Sequence, residues 1–321
     1  MNIHHLLEAP EASLASQLGT FERQFTYPLG EGRSFHVSHG GDYPRFFRAI
    51  GGAGSGGSFV AESGGLVLGT LGIALRPLRM PSGEIVTSAY IGDVKTAPGS
   101  LRGMVVMAMA ARAVLWAKEN GAVNAYAVVM DGTPQSPSTY SGRFGIPAFM
   151  AMSNVCLLRF PVPDVPAVEE GAWEVVGPVA TNLFGRLSPR RFAPLGGSAA
   201  LRCSFAPVHL AAPNGSACGI LEDTLLAKRI LVDDGSEMVS AHLSMFAHAN
   251  PGSACQLLRQ ALARCGRLGF PALFVSVPAC DLHAILSAWG DPTGIVRAPA
   301  TIYAAGFPDA VEPWNLNTSE V

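Results

Sequence analysis

Residues Tyr90 to Val129 constrain the fold more than any other stretch. They read as strand, tight loop, helix and strand: YIGDVKT, APGSLRG, MVVMAMAARAVLWAKEN and GAVNAYAVV. The strand closes on Asp93, Val94, Lys95 and Thr96, and Pro98 and Gly99 then break it. Proline removes a donor, and a turn rich in Pro, Gly and Ser cannot extend a ladder. Arg102 and Gly103 stand at the mouth of a helix of about four turns. The first N–H groups of a helix are unpaired and carry partial positive charge, so a helix start beside an arginine suits an anion, a phosphate-bearing cofactor among them. A buried packing unit with no ligand would carry the same local pattern.

The flanking segments extend this unit. RSFHVS (33–38) reads as a strand, and Asp42, an expected N-cap, with Pro44 in the first turn starts a short helix over RFFRAI. GGAGSGG (51–57) reads as a flexible loop. SFVAESGG and LVLGTLGIALRPL form a hairpin through a Gly-Gly turn, MPSGE is a further turn, and IVTSAYIGDVKT is the next strand. After Val129, residues 133–144 read as a short irregular helix and MSNVCLLRFPV as a strand. The order is strand, helix, strand, strand, strand, helix, strand.

Val94, Pro98, Arg102 and Gly103, in that element order, resemble the central motif of the GNAT acetyltransferase superfamily. In that motif a strand ends near Val-x-Pro and Arg-Gly-x-Gly-x-Gly/Ala opens a helix. Val105 and Met107 depart from it, standing where two glycines are usual. Glycine lets N–H groups approach a pyrophosphate closely, so a Cβ at Val105 is expected to weaken binding if it crowds the phosphate. The family's Tyr-x-x-x-Gly-Phe signature has a counterpart one residue longer, Tyr140 to Ile146.

The second half repeats the first weakly. Ala97-Pro98-Gly99-Ser100 is echoed by Asn250-Pro251-Gly252-Ser253, and Gly121-AVNAYAVV by Gly269-FPALFVSV. The second loop-plus-helix is five residues shorter, about one turn, and lacks the part that carries Arg102 and Gly103. Its helix, Cys255 to Leu268, is amphipathic, with Leu257, Leu258, Ala261, Leu262 and Cys265 on one face. The expected fold is α/β, an α+β mixed sheet built as two tandem GNAT-like domains. Each has a mostly antiparallel central sheet flanked by helices. The divisions are a lead-in over 1–20, which reads as a short helix, an acyl-CoA-binding domain over 21–160, and a Pro- and acid-rich linker over 161–171. A second, degenerate domain over 172–310 and a tail over 311–321 follow. A single domain with an unrelated C-terminal region is the alternative.

Composition narrows the function. Of 321 residues 49% are hydrophobic and 14% charged, which argues for large buried sheets. The longest apolar run, Met104 to Ala117, is broken by Arg112 and falls short of the roughly 20 residues that span a bilayer. The N-terminus lacks the form of a secretory signal. Net charge is −2 with no basic stripe, which excludes nucleic acid as the natural partner. Six cysteines form no C-x-x-C pair and stand near no histidine at metal spacing, so they read as reduced, mostly buried thiols of a cytoplasmic protein. There is no Walker A motif and no G-x-S-x-G elbow; GGAGSGG lacks the strand and long helix of a dinucleotide loop. No metal is expected, and a homodimer is compatible with the sequence.

The resemblance implies that acetyl-CoA, or another acyl-CoA, lies where the central strand and the next splay apart. Asp93, Val94 and Thr96 would then hold the pantetheine, with the Val94 N–H polarising the thioester carbonyl. Arg102, Gly103, Met104 and Val105 would hold the pyrophosphate. The implied activity is N-acyl transfer, acetyl above all, to a small-molecule or peptide amine by direct attack. Tyr140 is the candidate acid for the leaving thiolate, and Asp93 or Glu62, directly or through water, the base. Apolar neighbours would raise the Asp93 pKa on burial; a turn-capping carboxylate is the competing role. His36 and His39 lie near a loop that could border the acceptor site, though most lone histidines serve packing. A non-catalytic CoA-binding or interaction protein of the same fold is the alternative, and many methionines raise a longer acyl chain as a third.

Overall fold

The computed structural model describes residues 1–30, 33–52, 54–99, 102–133, 136–139, 142–143, 145–163, 173–308 and 312–321, with main chain alone at 28–30, 33 and 102. The first half runs β1 (Asn2–Leu6), α1 (Ala12–Glu22), β2 (Tyr27–Gly30), β3 (Arg33–Ser38), α2 (Arg45–Gly51), β4 (Gly56–Ser63), β5 (Leu66–Arg79), β6 (Ile85–Thr96), α3 (Arg102–Glu119), β7 (Asn124–Met130) and β8 (Met150–Pro161). The second half runs α4 (Gly177–Leu187), β9 (Ala193–Pro194), α5 (Ala199–Arg202), β10 (Val208–Ala211), β11 (Ala217–Glu222), β12 (Arg229–Val232), β13 (Ala241–His248), α6 (Pro251–Arg267), β14 (Ala272–Pro278), α7 (Ala279–Trp289) and β15 (Val296–Ala305). Short 3-10 turns lie at Pro137–Thr139 and Thr318–Glu320.

One mixed, mostly antiparallel sheet carries the molecule, in the order β1-β4-β5-β6-β7-β15-β8-β14-β13-β11-β10, with β9 against β5. β5 is buried along nearly its whole length, as a central strand covered on both faces must be. α3 packs on one face through Val105, Met109, Ala113 and Ala117, a stripe at four-residue spacing whose alanines admit close approach. α2 lies on the other face, and Gly72 is what lets it sit there: a Cβ at Gly72 would come within 1.8 Å of Phe47 Cζ.

Several expectations change. The lead-in is a strand and a helix: β1 pairs with β4, and α1 covers β3 and β5. The end of the glycine loop is itself the start of β4, paired with β5, and β1 comes so close that a Cβ at Gly57 would strike the Leu6 carbonyl oxygen at 2.4 Å. Asp42 does not cap α2; its carboxylate binds Arg48 at 2.5 Å. β12 leaves the main sheet and joins β3 and β2 in a three-stranded sheet.

The same device occurs twice. β6 and β7 pair in parallel only over Ser88–Ile91 and Asn124–Ala127. Beyond Ile91, β6 pairs with β5 alone, while β7 runs on against β15 to Met130. In the second half β13 and β14 pair only over Ala241–Leu243 and Leu273–Val275. β13 then follows β11, and β14 follows β8. The non-glycine residues with positive φ in these diverging strands are Asp93 (52°) and Met245 (48°), each beside a register shift. The two halves also interlock. β15 pairs with both β7 and β8, and β8 pairs with β14, so each half's last strand lies beside the other half's last strand but one.

Candidate active site

The site is built at the bend in β6. Thr70 faces Lys95 and Gly72 faces Gly92, so Leu71 alone opposes both Asp93 and Val94. This is a β-bulge, which re-aims side chains and sharpens local twist. A positive φ at an aspartate in a strand persists only where its surroundings over-determine it, and here they do. The Thr70 hydroxyl donates to the Asp93 carbonyl at 3.1 Å. Tyr43 donates its phenol to Asp93 Oδ2, and Lys95 Nζ lies 2.5 Å from Oδ1.

Behind Asp93 is a second pair. Glu22, at the end of α1, accepts the His39 main-chain N–H at 3.3 and 3.2 Å and lies 2.5 Å from His39 Nδ1. That nitrogen is 3.9 Å from Asp93 Oδ2. Glu22, His39, Tyr43 and Lys95 are all buried, whereas the Asp93 side chain keeps 12% of its surface exposed. The His39 ring lies against Tyr43, Phe46 and Phe47. Asp93 is thus the member of the cluster that still reaches solvent.

The electrostatics reverse the expectation for Asp93. Burial pushes its carboxyl up, but the Lys95 and His39 charges and the bonds from Lys95 and Tyr43 outweigh burial and bring it down to about 2. The ordinary value is 3.8, so the carboxylate stays anionic throughout the physiological range and is a poor proton acceptor. Burial lowers Lys95 too, but Asp93 overcomes it and the ammonium is held above its usual range. Burial and the neighbouring carboxylates keep the Tyr43 phenol protonated, its pKa raised well above the ordinary value. Glu22, His39 and Asp93 bring three metal-ligand atoms within 4.8 Å of one another. Lys95 already supplies the cation at Asp93, so this donor set fits an ammonium better than a metal ion.

The other sequence candidates fall in different places. Glu62 lies on β4 with β5 between it and β6; its carboxylate accepts the Gly65 N–H at 2.5 Å and pairs with His4 at 3.5 Å. It caps the hairpin turn, and the structure does not bring it to Asp93. Tyr140 lies outside the described residues. His36 is on β3 opposite Leu231 of β12, in the smaller sheet. Val94 is 46% exposed at the bulge, and Thr96 pairs with Gly69. Arg102 and Gly103 open α3, and Met104 is exposed there. Val105 is buried, with Cγ1 seated over Gly69. Its Cβ points into the sheet, so the expected crowding of the helix mouth does not occur.

The corresponding crevice of the second half is filled by the chain itself. Residues 314–320 are buried, and Asn317 Oδ1 accepts the Met245 N–H at 2.9 Å. Ser319 bonds Ser244 at 2.9 Å and Glu222 at 2.6 Å, and Glu222 pairs with Arg202 at 2.8 Å. Thr318 meets His242 at 3.0 Å.

A parallel strand pair that parts at a bulge, with a helix start facing the gap, defines the GNAT fold, and known structures agree. Saccharomyces cerevisiae N-myristoyltransferase, solved with bound myristoyl-CoA, superposes with a TM-score of 0.64 at 11% identity, covering 99% of this chain and 87% of that one. A GCN5-related N-acetyltransferase from Anabaena variabilis superposes with a TM-score of 0.52 at 13% identity, covering 94% and 72%. No family profile and no curated protein matches the sequence. The chain has the GNAT fold.

Proposed function

We propose that this chain is an acyl-CoA-dependent N-acyltransferase that moves an acyl group from a thioester to an amine by direct attack. The observation that carries the proposal is the parting of β6 and β7 beyond Ile91, with the bulge at Asp93–Val94 at its edge and the start of α3 beyond it. Main-chain groups of Val94 and Thr96 would hold the pantetheine. The Val94 N–H would stabilise charge on the thioester oxygen as the tetrahedral intermediate forms. The N–H groups of Gly103, Met104 and Val105, with Arg102 beside them, would hold the diphosphate. Tyr140 keeps the role of acid for the leaving thiolate.

Asp93 takes a role other than base. A carboxylate that remains ionised can receive an acceptor's ammonium, since its oxygens offer about four lone-pair sites and Lys95 and Tyr43 use two of them. The acceptor is then a primary amine, of a small molecule or a peptide. The donor acyl group is acetyl or longer; the yeast structure above was solved with myristoyl-CoA.

The architecture we infer is two copies of one fold, over 21–160 and 172–310, with their last strands exchanged. The first copy is then the one to hold the donor, because Asn317, Thr318 and Ser319 lie against the parting strand of the second. All six cysteines are free and five are buried, as suits a reducing cytoplasm. Among the described residues no helix is long and apolar enough to cross a membrane.

Calorimetric titration with acetyl-CoA and with myristoyl-CoA, followed by thiol release with a panel of amines, tests this reading. One donor should bind with a stoichiometry of one per chain and release thiol with a primary amine. Neither heat nor a rise in melting temperature with either donor would refute it. Binding without thiol release would leave a CoA-binding protein of the same fold.

A further inference from the structure

We propose that Tyr90 limits the donor to a short acyl chain, acetyl or little longer; this rests on the acyltransferase reading above and names its donor class. An acyl group held at Val94 extends into the protein only through the floor of the crevice, where β6 and β7 come together at Ile91 and Ala127. Gly92 is the next residue of β6. A Cβ there would lie 3.2 Å from both Cε1 and Oη of Tyr90 and 3.3 Å from Cε1 of Phe47. The phenol end of Tyr90 therefore lies beneath the point at which the strands part, on the face of the sheet that carries α2.

Behind Tyr90 the core is a continuous pack of rings. The Tyr126 ring stands 5.3 Å from that of Tyr90, Trp314 lies 5.0 Å from Tyr126, and Phe192 stacks on Trp314 at 4.6 Å. Tyr90 keeps 4% of its surface exposed and the other three keep none. Interiors packed in this way hold few voids larger than a water molecule. The opposite face is closed by α3: a Cβ at Gly69, which pairs with Thr96, would lie 2.8 Å from Val105 Cγ1 and 3.0 Å from Met109 Cε. The methionines that raised a longer chain serve packing instead. Met109 is fully buried, and Met130 and Met152 lie against the ring cluster. A long acyl chain needs a pocket of about 300 Å³ or more. Among the described residues, cavities of about 400 and 430 Å³ lie elsewhere, at the start of α6 and between β8 and the start of α7. No residue of β6, β7 or α3 lines either one. The donor of this chain is then shorter than the myristoyl-CoA of the yeast structure.

Calorimetry with free CoA and with its acetyl, butyryl, octanoyl and myristoyl thioesters tests the limit. A chain that enters an apolar pocket gains about fourfold in affinity per methylene, so a long-chain site shows as a steep rise along the series. Wild type should show no such rise: affinity should stay level or fall from butyryl onward. Tyr90→Ala, with its melting temperature recorded, should raise octanoyl affinity relative to acetyl by about tenfold, the worth of roughly two buried methylenes. Tyr90→Leu, which leaves more of the core filled, should do so by a smaller factor and carries the test if the alanine variant does not fold. Tyr90→Phe should keep the wild-type profile, because the ring and not the hydroxyl is the obstacle. Wild-type affinity that climbs with chain length, a folded Tyr90→Leu protein with an unchanged profile, or a Tyr90→Phe profile shifted toward octanoyl would each overturn the assignment. Failure of wild type to bind acetyl-CoA and every longer donor would refute the acyltransferase reading itself.

Discussion

At the scale of single residues, Val105 and Asp93 show how far a side chain's role depends on where its bulge or helix turn points it. Val105 breaks a glycine-rich pattern, yet it sits in the core over Gly69, which has no Cβ to obstruct it. Val105→Gly restores the family's letter and removes a core side chain from a helix. It should destabilise the protein by about 2–4 kcal/mol in urea unfolding and leave donor affinity no better. Asp93 has a folded value of about 2 against an ordinary 3.8. A depressed carboxyl stabilises the fold above its unfolded value and loses that contribution as pH falls through the folded one. About 2 kcal/mol should therefore disappear between roughly pH 4 and pH 2. Asn tolerates the left-handed region, so Asp93→Asn should retain the bulge and flatten this part of the acid profile. An unchanged slope in urea midpoints against pH would show that Asp93 is not the group titrating.

At the scale of elements, β5 and α2 set the shape of the crevice. The tip of the Phe47 ring rests against Gly72, and Gly92 on β6 is close enough that a Cβ there would sit 3.3 Å from the same ring. α2 can therefore approach the sheet and bring Tyr43, just ahead of it, against Asp93. Gly72→Ala forces the ring and its helix outward. Overpacking of this kind costs about 1–3 kcal/mol, and here it should also break the Tyr43–Asp93 bond. Its signature is a fall in melting temperature together with loss of the Tyr43 hydroxyl signal in exchange-protected NMR spectra. A variant that keeps both would show that α2 has room to spare. His39, between β3 and α2, carries no local pattern of its own; the short link His39-Gly-Gly-Asp-Tyr43 is the one feature that sets it beside Tyr43 in the chain.

At the scale of the whole molecule, the halves are not separable. β15 fills the place between β7 and β8, and β14 is bonded to β8. α5 and the turn before it also bind the end of α2, through Arg202 at 3.0 Å and Ser198 at 2.7 Å on the Ala49 carbonyl oxygen. A fragment of residues 1–163 would expose one edge of β7 and leave β8 with neither neighbour. Such edges invite aggregation. Expressed alone the fragment should be insoluble or lack near-ultraviolet circular dichroism, and coexpression with residues 164–321 should restore a folded pair. A soluble, cooperatively unfolding 1–163 fragment would show that the strand exchange is dispensable.

What the chain's letters determine without the fold is local. Alternation and turn chemistry delimit β4, β5, β6 and α3 to within a few residues, because hydrophobic period and Gly or Pro breaks act over short distances. The strand–turn–helix around Arg102 is legible for the same reason. Pairing partners are a different matter: nothing local in β15 says that it enters between β7 and β8, nor that residues 317–319 pack against β13. The cluster of Glu22, His39, Asp93 and Lys95 joins α1, the link after β3 and β6, and its charges acquire meaning only once burial has removed the water that would screen them. Tertiary structure alone turned Asp93 from an expected base into a fixed anion, by setting an ammonium 2.5 Å from it in a buried site.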